Sequence, residues 1–195
     1  RQMMETPDHR HAIGNVHDLL FAHGVPGIQD IDTRELTRRV REHGTVLCIF
    51  GPVEAEREML VRLDELTPPD AEDLVAEVTC ETAVILNPGA VDDNGTPMPR
   101  LAAIDCGIKY NILRELCQRF EVVWCPATTT SDEILKWEPD ALFASNGPGD
   151  PAHSGAATTA RDTLAAAVRA GLPVMGICLG HPLMGLAAGL RNYKL

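Results

Sequence analysis

The chain has 195 residues, of which 45% are hydrophobic and 23% charged, and these values are typical of a soluble globular protein with one large domain or two modest ones. Its formal net charge of −11 opposes general binding to nucleic acids, because backbone phosphates are bound through lysine and arginine. No apolar stretch reaches about 18 residues, and Arg1–Thr6 lacks the apolar core of a secretory signal, so we expect no membrane partner.

The first region, residues 1–86, carries charge clusters and helical patterns. A helix is predicted to begin at Asp32, whose side chain can cap it. Leu36 and Val40 place apolar side chains on one stripe, and Gly44 predicts the end of the helix. These signals predict part of a small α/β domain.

Two more elements are predicted before the region ends. The apolar run Val46–Phe50 predicts a short buried strand. Residues 54–66 predict an amphipathic helix, and Pro68 follows it. Residues 87–100 are dense in turn-forming residues, so we interpret them as a linker.

The last region, residues 101–195, alternates short apolar strands with helical patterns. Strands are predicted at 101–104, 122–124, 141–144 and 174–177, and helices at 111–119, 132–137, 156–170 and 180–190. This alternation predicts a doubly wound parallel sheet with right-handed crossovers and both faces covered. Ligands of such sheets bind beyond the carboxyl ends of the strands, where Ser145–Pro151 and Gly176–Gly180 fall.

Cys178 stands between an apolar strand and a helix, with Gly176 and Gly180 two residues away on either side. This pattern parallels a nucleophile elbow, a sharp strand-to-helix turn that presents the side chain at the edge of the sheet. A nearby helix N-terminus favours the thiolate, and free N–H groups there can hold an oxyanion. The alternative is that the glycines only permit close helix–strand packing; we favour catalysis.

The loop Gly147-Pro148-Gly149 follows a predicted strand and presents backbone without bulky side chains. A close approach to substrate requires this kind of backbone. The same residues are also ordinary turn chemistry, so both interpretations stay open on this motif alone.

The six cysteines include no CxxC pair, and most lie in apolar runs. We interpret them as mostly reduced, buried thiols of a cytoplasmic protein. The seven histidines show no metal-ligand spacing, so no metal site is expected.

Four segments resemble the class I (triad-type) glutamine amidotransferases. Ser145–Pro151 resembles their glycine loop, and Pro173–His181 resembles their nucleophile segment. Asp30–Arg38 and Asp105–Arg114 are similar to segments of the small subunit of carbamoyl phosphate synthase. The amidotransferases of anthranilate synthase and GMP synthase share the cysteine segment but lack a domain with the Asp30–Arg38 segment. The resemblance covers almost the whole chain.

The resemblance implies an incomplete, flavodoxin-like doubly wound sheet, in a chain truncated at both ends. It implies the glutaminase subunit of carbamoyl phosphate synthase, which feeds arginine and pyrimidine biosynthesis. Cys178 would attack the carboxamide of glutamine and form a thioester. The N–H groups of Leu179 and Gly149 would hold the oxyanion, and Gly147 would line the glutamine pocket.

The resemblance also implies partners. L-Glutamine would be the substrate, and the ammonia would travel through a tunnel to the large synthetase subunit. ATP and Mg²⁺ are expected on that subunit, and no cofactor is expected in this chain.

The chain departs from the family pattern at one position and at both ends. The family continues Gly-His-Gln, whereas Pro182 follows His181 here, which lowers the expected affinity for glutamine but suits an early helical position. We assign His181 a packing or capping role rather than that of a base. The resemblance places the triad histidine and glutamate beyond Leu195, and the opening strands with a substrate-contacting serine before Arg1. We therefore expect negligible glutaminase activity from this polypeptide by itself.

Two alternatives remain. The chain could be the subunit of a different class I amidotransferase that supplies ammonia to another synthetase. It could also be a non-catalytic scaffold or pseudo-enzyme, for which Pro182 is a supporting feature.

Overall fold

The computed structural model describes residues 3, 5–7, 10, 12–44, 46–68, 71–152 and 155–192. The chain forms two compact units, Arg1–Leu66 and Thr67–Leu195. The sequence predicted a division after residue 86 instead. The difference arises because Val84–Leu86 pairs with a strand of the second unit. No helix in the described part of the chain is long and apolar enough to cross a bilayer.

The described part of the first unit is helical. Its helices are α1 (Val16–Ala22), α2 (Thr33–His43) and α3 (Glu56–Glu65), with a 3₁₀ turn at Val53–Ala55 before α3. The beginning of α2 is as predicted, because the Asp32 side chain accepts hydrogen bonds from the N–H groups of Arg34 and Glu35, both at 3.0 Å. Gly44 follows the helix with a φ of 77°.

The strand predicted at Val46–Phe50 was wrong. Val46 is 44% exposed and Phe50 51%, and these residues pair with no strand. A strand requires the N–H and C=O groups of a neighbouring strand, and the described part of this unit contains none. Leu36 and Val40 of α2 are also exposed, and no described residue of the first unit is buried.

The second unit contains a five-stranded sheet of order β1-β3-β2-β4-β5. The strands are β1 (Val84–Leu86), β2 (Arg100–Asp105), β3 (Glu121–Pro126), β4 (Ala141–Ala144) and β5 (Val174–Gly176). The strands β2 to β5 are parallel, whereas β1 is antiparallel to β3. The parallel strands follow the flavodoxin-like order, which confirms the predicted fold class.

Helices cover both faces of this sheet. They are α4 (Leu74–Val78), α5 (Tyr110–Cys117), α6 (Ser131–Leu135), α7 (Ala156–Arg169) and α8 (Gly180–Ala187). Successive residues of β2 point to opposite faces, so Ile104 packs in one buried cluster with Leu164 and Leu183, and Leu101 packs in the other with Leu113. The carboxyl ends of β4 and β5 therefore sit side by side on a rigid support.

Candidate active site

Cys178 lies in the sharp turn that joins β5 to α8. Its φ is 52°, in the left-handed region that few non-glycine residues adopt. The turn is closed by two backbone hydrogen bonds, from Gly180 N to Ile177 O at 3.0 Å and from His181 N to Cys178 O at 3.1 Å. Cys178 is exposed. The predicted elbow is therefore present, and it presents the thiol at the carboxyl edge of the sheet.

The two glycines around Cys178 are required by close backbone contacts. A Cβ on Gly176 would overlap the carbonyl group of Gly180, and a Cβ on Gly180 would overlap the carbonyl group of Ala144. The atoms in the way belong to the backbone, so no change of rotamer could make room. The glycines thus bring α8 against β4 and β5, and this packing also shapes the elbow.

The loop Ser145–Pro151, which we call the glycine loop, lies beside the elbow. The N–H of Gly180 donates to the carbonyl oxygen of Ser145 at 3.0 Å. A Cβ on Gly147 would come within 2.9 Å of the Leu179 side chain. The structure therefore brings together the two motifs that the sequence placed at this edge.

Two backbone N–H groups at this edge, those of Leu179 and Gly149, are candidate oxyanion donors. Neither Leu179 N nor Gly149 N donates a hydrogen bond to an acceptor among the residues that the structure describes. The Leu179 side chain is 4% exposed and belongs to the core, so its backbone is held firmly. Gly149 has a φ of 84°. Unpaired donors beside an accessible thiol are the arrangement that an oxyanion site needs, and their role in substrate binding stays a prediction.

His181 and Pro182 occupy the second and third positions of α8. His181 is exposed, and its side chain makes no hydrogen bond with the described residues, so these observations give no support to the expected packing or capping role. Pro182 lacks an N–H, but the first four N–H groups of a helix have no intrahelical acceptor. The prediction that proline fits this position is confirmed.

The six cysteines are all free, but their environments differ: two are buried, two partly buried, and Cys48 and Cys178 exposed. The prediction of mostly buried thiols thus holds for only some of them. Burial, aided by the negative charge of Asp105, raises the pKa of Cys80 and Cys106 to about 12. Burial also raises the pKa of Cys125 to about 12. These three thiols stay protonated at neutral pH. Burial also raises the pKa of the partly buried Cys117, and Cys178 is the exposed thiol of the second unit.

Sequence reasoning missed Asp105, the last residue of β2. Asp105 is 2% exposed, and its carboxylate accepts four hydrogen bonds. One oxygen accepts from the N–H groups of Gly107 and Ile108, at 2.8 and 2.7 Å. The other accepts from Cys80 N and Trp124 Nε1, both at 2.9 Å. The available signal was an aspartate directly after an apolar strand and two residues before a glycine.

No group of three or more His, Cys, Asp or Glu residues that could hold a metal ion occurs in the described part of the chain. The groups described at this site are a thiol, backbone donors and a buried carboxylate.

Comparison with known proteins places the chain in a family. Residues 102–195 match the family described as Glutamine amidotransferase class-I, and residues 1–50 match Carbamoyl-phosphate synthase small chain, CPSase domain. The carbamoyl phosphate synthase small chain of Methanosarcina mazei is 38% identical, over 100% of this chain and 53% of its own length. The chain belongs to the carbamoyl phosphate synthase small chain family.

Two further small chains of this family cover the whole chain. The relative from Symbiobacterium thermophilum is 36% identical, over 100% of this chain and 53% of its own length. The relative from Nostoc sp. is 35% identical, over 100% of this chain and 52% of its own length. The chain thus spans about half the length of the relatives it matches. Because residues 1–50 match the CPSase domain, the alternative of a different class I amidotransferase has no support.

Proposed function

We propose that this member of the small chain family releases ammonia from L-glutamine for carbamoyl phosphate synthesis. The observation that carries the proposal is the exposed Cys178, held at a φ of 52° at the carboxyl edge of the sheet. Strained backbone at an exposed nucleophile is characteristic of functional turns. The names of the relatives and the match to class I amidotransferases support the same reaction.

In the proposed reaction, the thiolate of Cys178 adds to the carboxamide carbon of glutamine. The N–H groups of Leu179 and Gly149 donate to the negatively charged oxygen that forms. The amide nitrogen then takes up one proton, which balances the proton lost by the Cys178 thiol, the C–N bond breaks, ammonia leaves, and a glutamyl thioester remains. Water hydrolyses the thioester to glutamate and returns the thiol. Gly147 would line the glutamine pocket through its backbone, because a Cβ at this position would point at the carbonyl group of Cys106.

We further infer that a large synthetase subunit receives the ammonia and uses it with ATP, Mg²⁺ and bicarbonate. The match of residues 1–50 to the CPSase domain and the relatives' name "small chain" support such a heteromeric partner. The product would enter arginine and pyrimidine biosynthesis. A cytoplasmic location is part of this proposal, and the six free cysteines support a reducing compartment.

The test is covalent labelling by a glutamine analogue that carries a chloromethyl ketone. At about pH 8.5, where an ordinary thiol is partly ionised, we expect one adduct at Cys178, a labelling rate that saturates with analogue concentration, and protection by L-glutamine. Mass spectrometry of peptides locates the adduct. Cys48→Ser, which removes an exposed cysteine of the first unit, should leave labelling unchanged, whereas Cys178→Ser should abolish it.

A non-catalytic scaffold is the second candidate, and Pro182 favours it because the family has a substrate-contacting glutamine there. A labelling rate that is linear in analogue concentration and insensitive to L-glutamine would support the scaffold. If glutamine does bind, Pro182→Gln should lower the half-saturation concentration about 2- to 10-fold, since one hydrogen bond contributes about 0.5–1.5 kcal/mol. Pro148→Gln, a proline change in the glycine loop, should give no such gain.

A further inference from the structure

We propose that Asp105 is a positioning residue, which fixes the glycine loop so that the N–H of Gly149 meets the developing oxyanion. This inference rests on the proposed function. Asp105 is buried at the end of β2, and its carboxylate accepts hydrogen bonds from N–H groups of the protein. Its effect on the reaction would therefore pass through neighbouring backbone.

The carboxylate of Asp105 is fully engaged. Each of its two oxygens accepts two N–H donors, and the residue is 2% exposed. Hydrogen bonds to a charged acceptor are stronger than neutral ones, and a buried network strengthens its members. The four donors come from three different segments, so Asp105 ties these segments to the end of β2.

One of these segments, Cys106–Lys109, is bonded directly to the glycine loop. Cys106 N donates to Ser145 Oγ at 2.8 Å, and Asn146 Nδ2 donates to the carbonyl oxygen of Gly107 at 2.8 Å. Asn146 Oδ1 accepts from Lys109 N at 3.3 Å. Because Asp105 holds the N–H groups of this segment, its position determines that of the glycine loop.

The same segment also contacts the glycine loop without hydrogen bonds. A Cβ on Gly147 would overlap the carbonyl group of Cys106, and a Cβ on Gly107 would lie 3.2 Å from Pro148 Cδ. Gly107 adopts a φ of 117°, which other residues rarely reach. A displaced Cys106–Lys109 segment would therefore push against the loop.

Asp105 holds the loop from a second side through α4. Cys80 N donates to its carboxylate, and Thr79 Oγ1 donates to its carbonyl oxygen at 2.6 Å. Both residues directly follow α4, whose first residue, Leu74, would meet a Cβ on Gly149 at 3.7 Å. The glycine loop is thus enclosed between two segments that end on the same carboxylate.

Loss of this carboxylate should affect the two oxyanion donors differently. Leu179 N is held by the hydrogen bonds that close the elbow and by the buried Leu179 side chain, and none of these contacts is made by Asp105. Gly149 N depends on the glycine loop. A displacement of about 1 Å at a reacting group can cost about 100-fold in rate, so a small shift of this loop is enough to matter.

The experiment compares two electrophiles on Asp105→Asn, a change that keeps the shape but turns one acceptor oxygen into an NH₂ group. The chloromethyl ketone analogue of glutamine places a carbonyl oxygen at the oxyanion donors, whereas iodoacetamide alkylates by direct displacement. Both form a C–S bond at Cys178 and release halide. We divide the second-order rate constant for the chloromethyl ketone by that for iodoacetamide. We expect this ratio to fall about 10- to 100-fold in Asp105→Asn, while the iodoacetamide rate changes little.

Two controls separate positioning from general destabilisation. Asp140→Asn removes a carboxylate that accepts from Arg100 N at 2.7 Å, at the opposite end of β2. Ile134→Ala opens a cavity in the buried core at α6, which lowers the melting temperature away from the site. Neither should change the ratio. If Asp105→Asn also leaves it unchanged, the positioning role is overturned.

Trp124→Phe keeps the test decisive if Asp105→Asn does not fold. This variant removes one donor to the carboxylate and keeps an aromatic ring. If the ratio falls in Trp124→Phe, as expected for Asp105→Asn, the proposal is supported, and an unchanged ratio overturns it. If the unsubstituted chain itself shows no saturable labelling by the analogue, the proposed function has failed, and the role of Asp105 fails with it.

Discussion

At the scale of single residues, Cys178 combines an unfavourable backbone with an exposed thiol. Its φ of 52° costs a non-glycine residue roughly 1–2 kcal/mol. We therefore expect Cys178→Gly to raise the free energy of unfolding by about 1 kcal/mol relative to Cys178→Ala, which retains the strained Cβ. Urea unfolding of both variants measures this difference. Equal stabilities of the two variants would show that the turn carries no strain.

Sequence reasoning recognised features that are local in the chain. Cys178 and its flanking glycines were recognisable because a strand, a turn and a helix succeed one another within a few residues. Asp105 was missed because two of its donors, Cys80 and Trp124, are distant in sequence and meet only in the folded sheet. The exposure of His181 likewise depends on how α8 packs, which its spacing from Cys178 does not reveal.

At the scale of elements, β2 and β3 are joined at their first residues by a carboxylate. Glu121 accepts from Gly89 N at 2.6 Å and pairs with Arg100, and its side chain is 11% exposed. The Gly89 N–H, followed by the Arg100 guanidinium, lowers the pKa of Glu121 below its usual range. Since the folded pKa lies below the unfolded value of about 4.3, this stabilisation is present above that value and is lost as pH falls through the folded pKa.

Glu121→Gln should therefore lower the free energy of unfolding by about 1–3 kcal/mol at neutral pH. The difference from the unsubstituted chain should shrink as the pH falls below about 4. Urea titrations at a series of pH values measure it. Glu115→Gln is the matched control, because its ion pair with Arg119 is exposed and 4.0 Å long, and such pairs contribute little. If the difference in unfolding free energy between Glu121→Gln and the unsubstituted chain were the same at every pH, the stabilisation would not come from the charged form of Glu121.

Most elements of the second unit were predictable from the sequence, whereas α4 and β1 were not. The strand at Ala141–Ala144 and the helix at Ala156–Arg169 match the predicted bounds to within one residue, because an apolar run and an Ala-rich helix carry clear patterns. The five residues of α4 and the three of β1 are too short to show a period. Val46–Phe50 shows the converse: an apolar run predicts a strand, but only a partner makes one.

At the scale of the whole molecule, the two units differ in burial. No described residue of the first unit is buried, whereas the second unit has a core on both faces of its sheet. Composition alone could not reveal this, because it counts apolar residues without stating which of them meet. Secondary structure that lacks buried contacts opens locally at low free-energy cost.

Hydrogen–deuterium exchange should resolve this difference. We expect amides of α2 to exchange within the earliest time points, while those of β2 and β4 exchange slowest. Amides of α7, which buries six residues, provide the internal comparison because α7 is also helical. Protection of α2 equal to that of α7 would contradict the expectation and indicate contacts that stabilise the first unit.

The overlaps at Gly176, Gly180 and Gly147 limit how this site can be varied. At each of these positions even one added methyl group would collide with backbone atoms, so no stepwise route of small substitutions leads away from glycine. A mutant library should therefore hold these three codons constant and vary exposed neighbours such as His181. The three glycines that support the turn around the thiol must be kept together, and substitutions that change substrate specificity must be made at the residues around them.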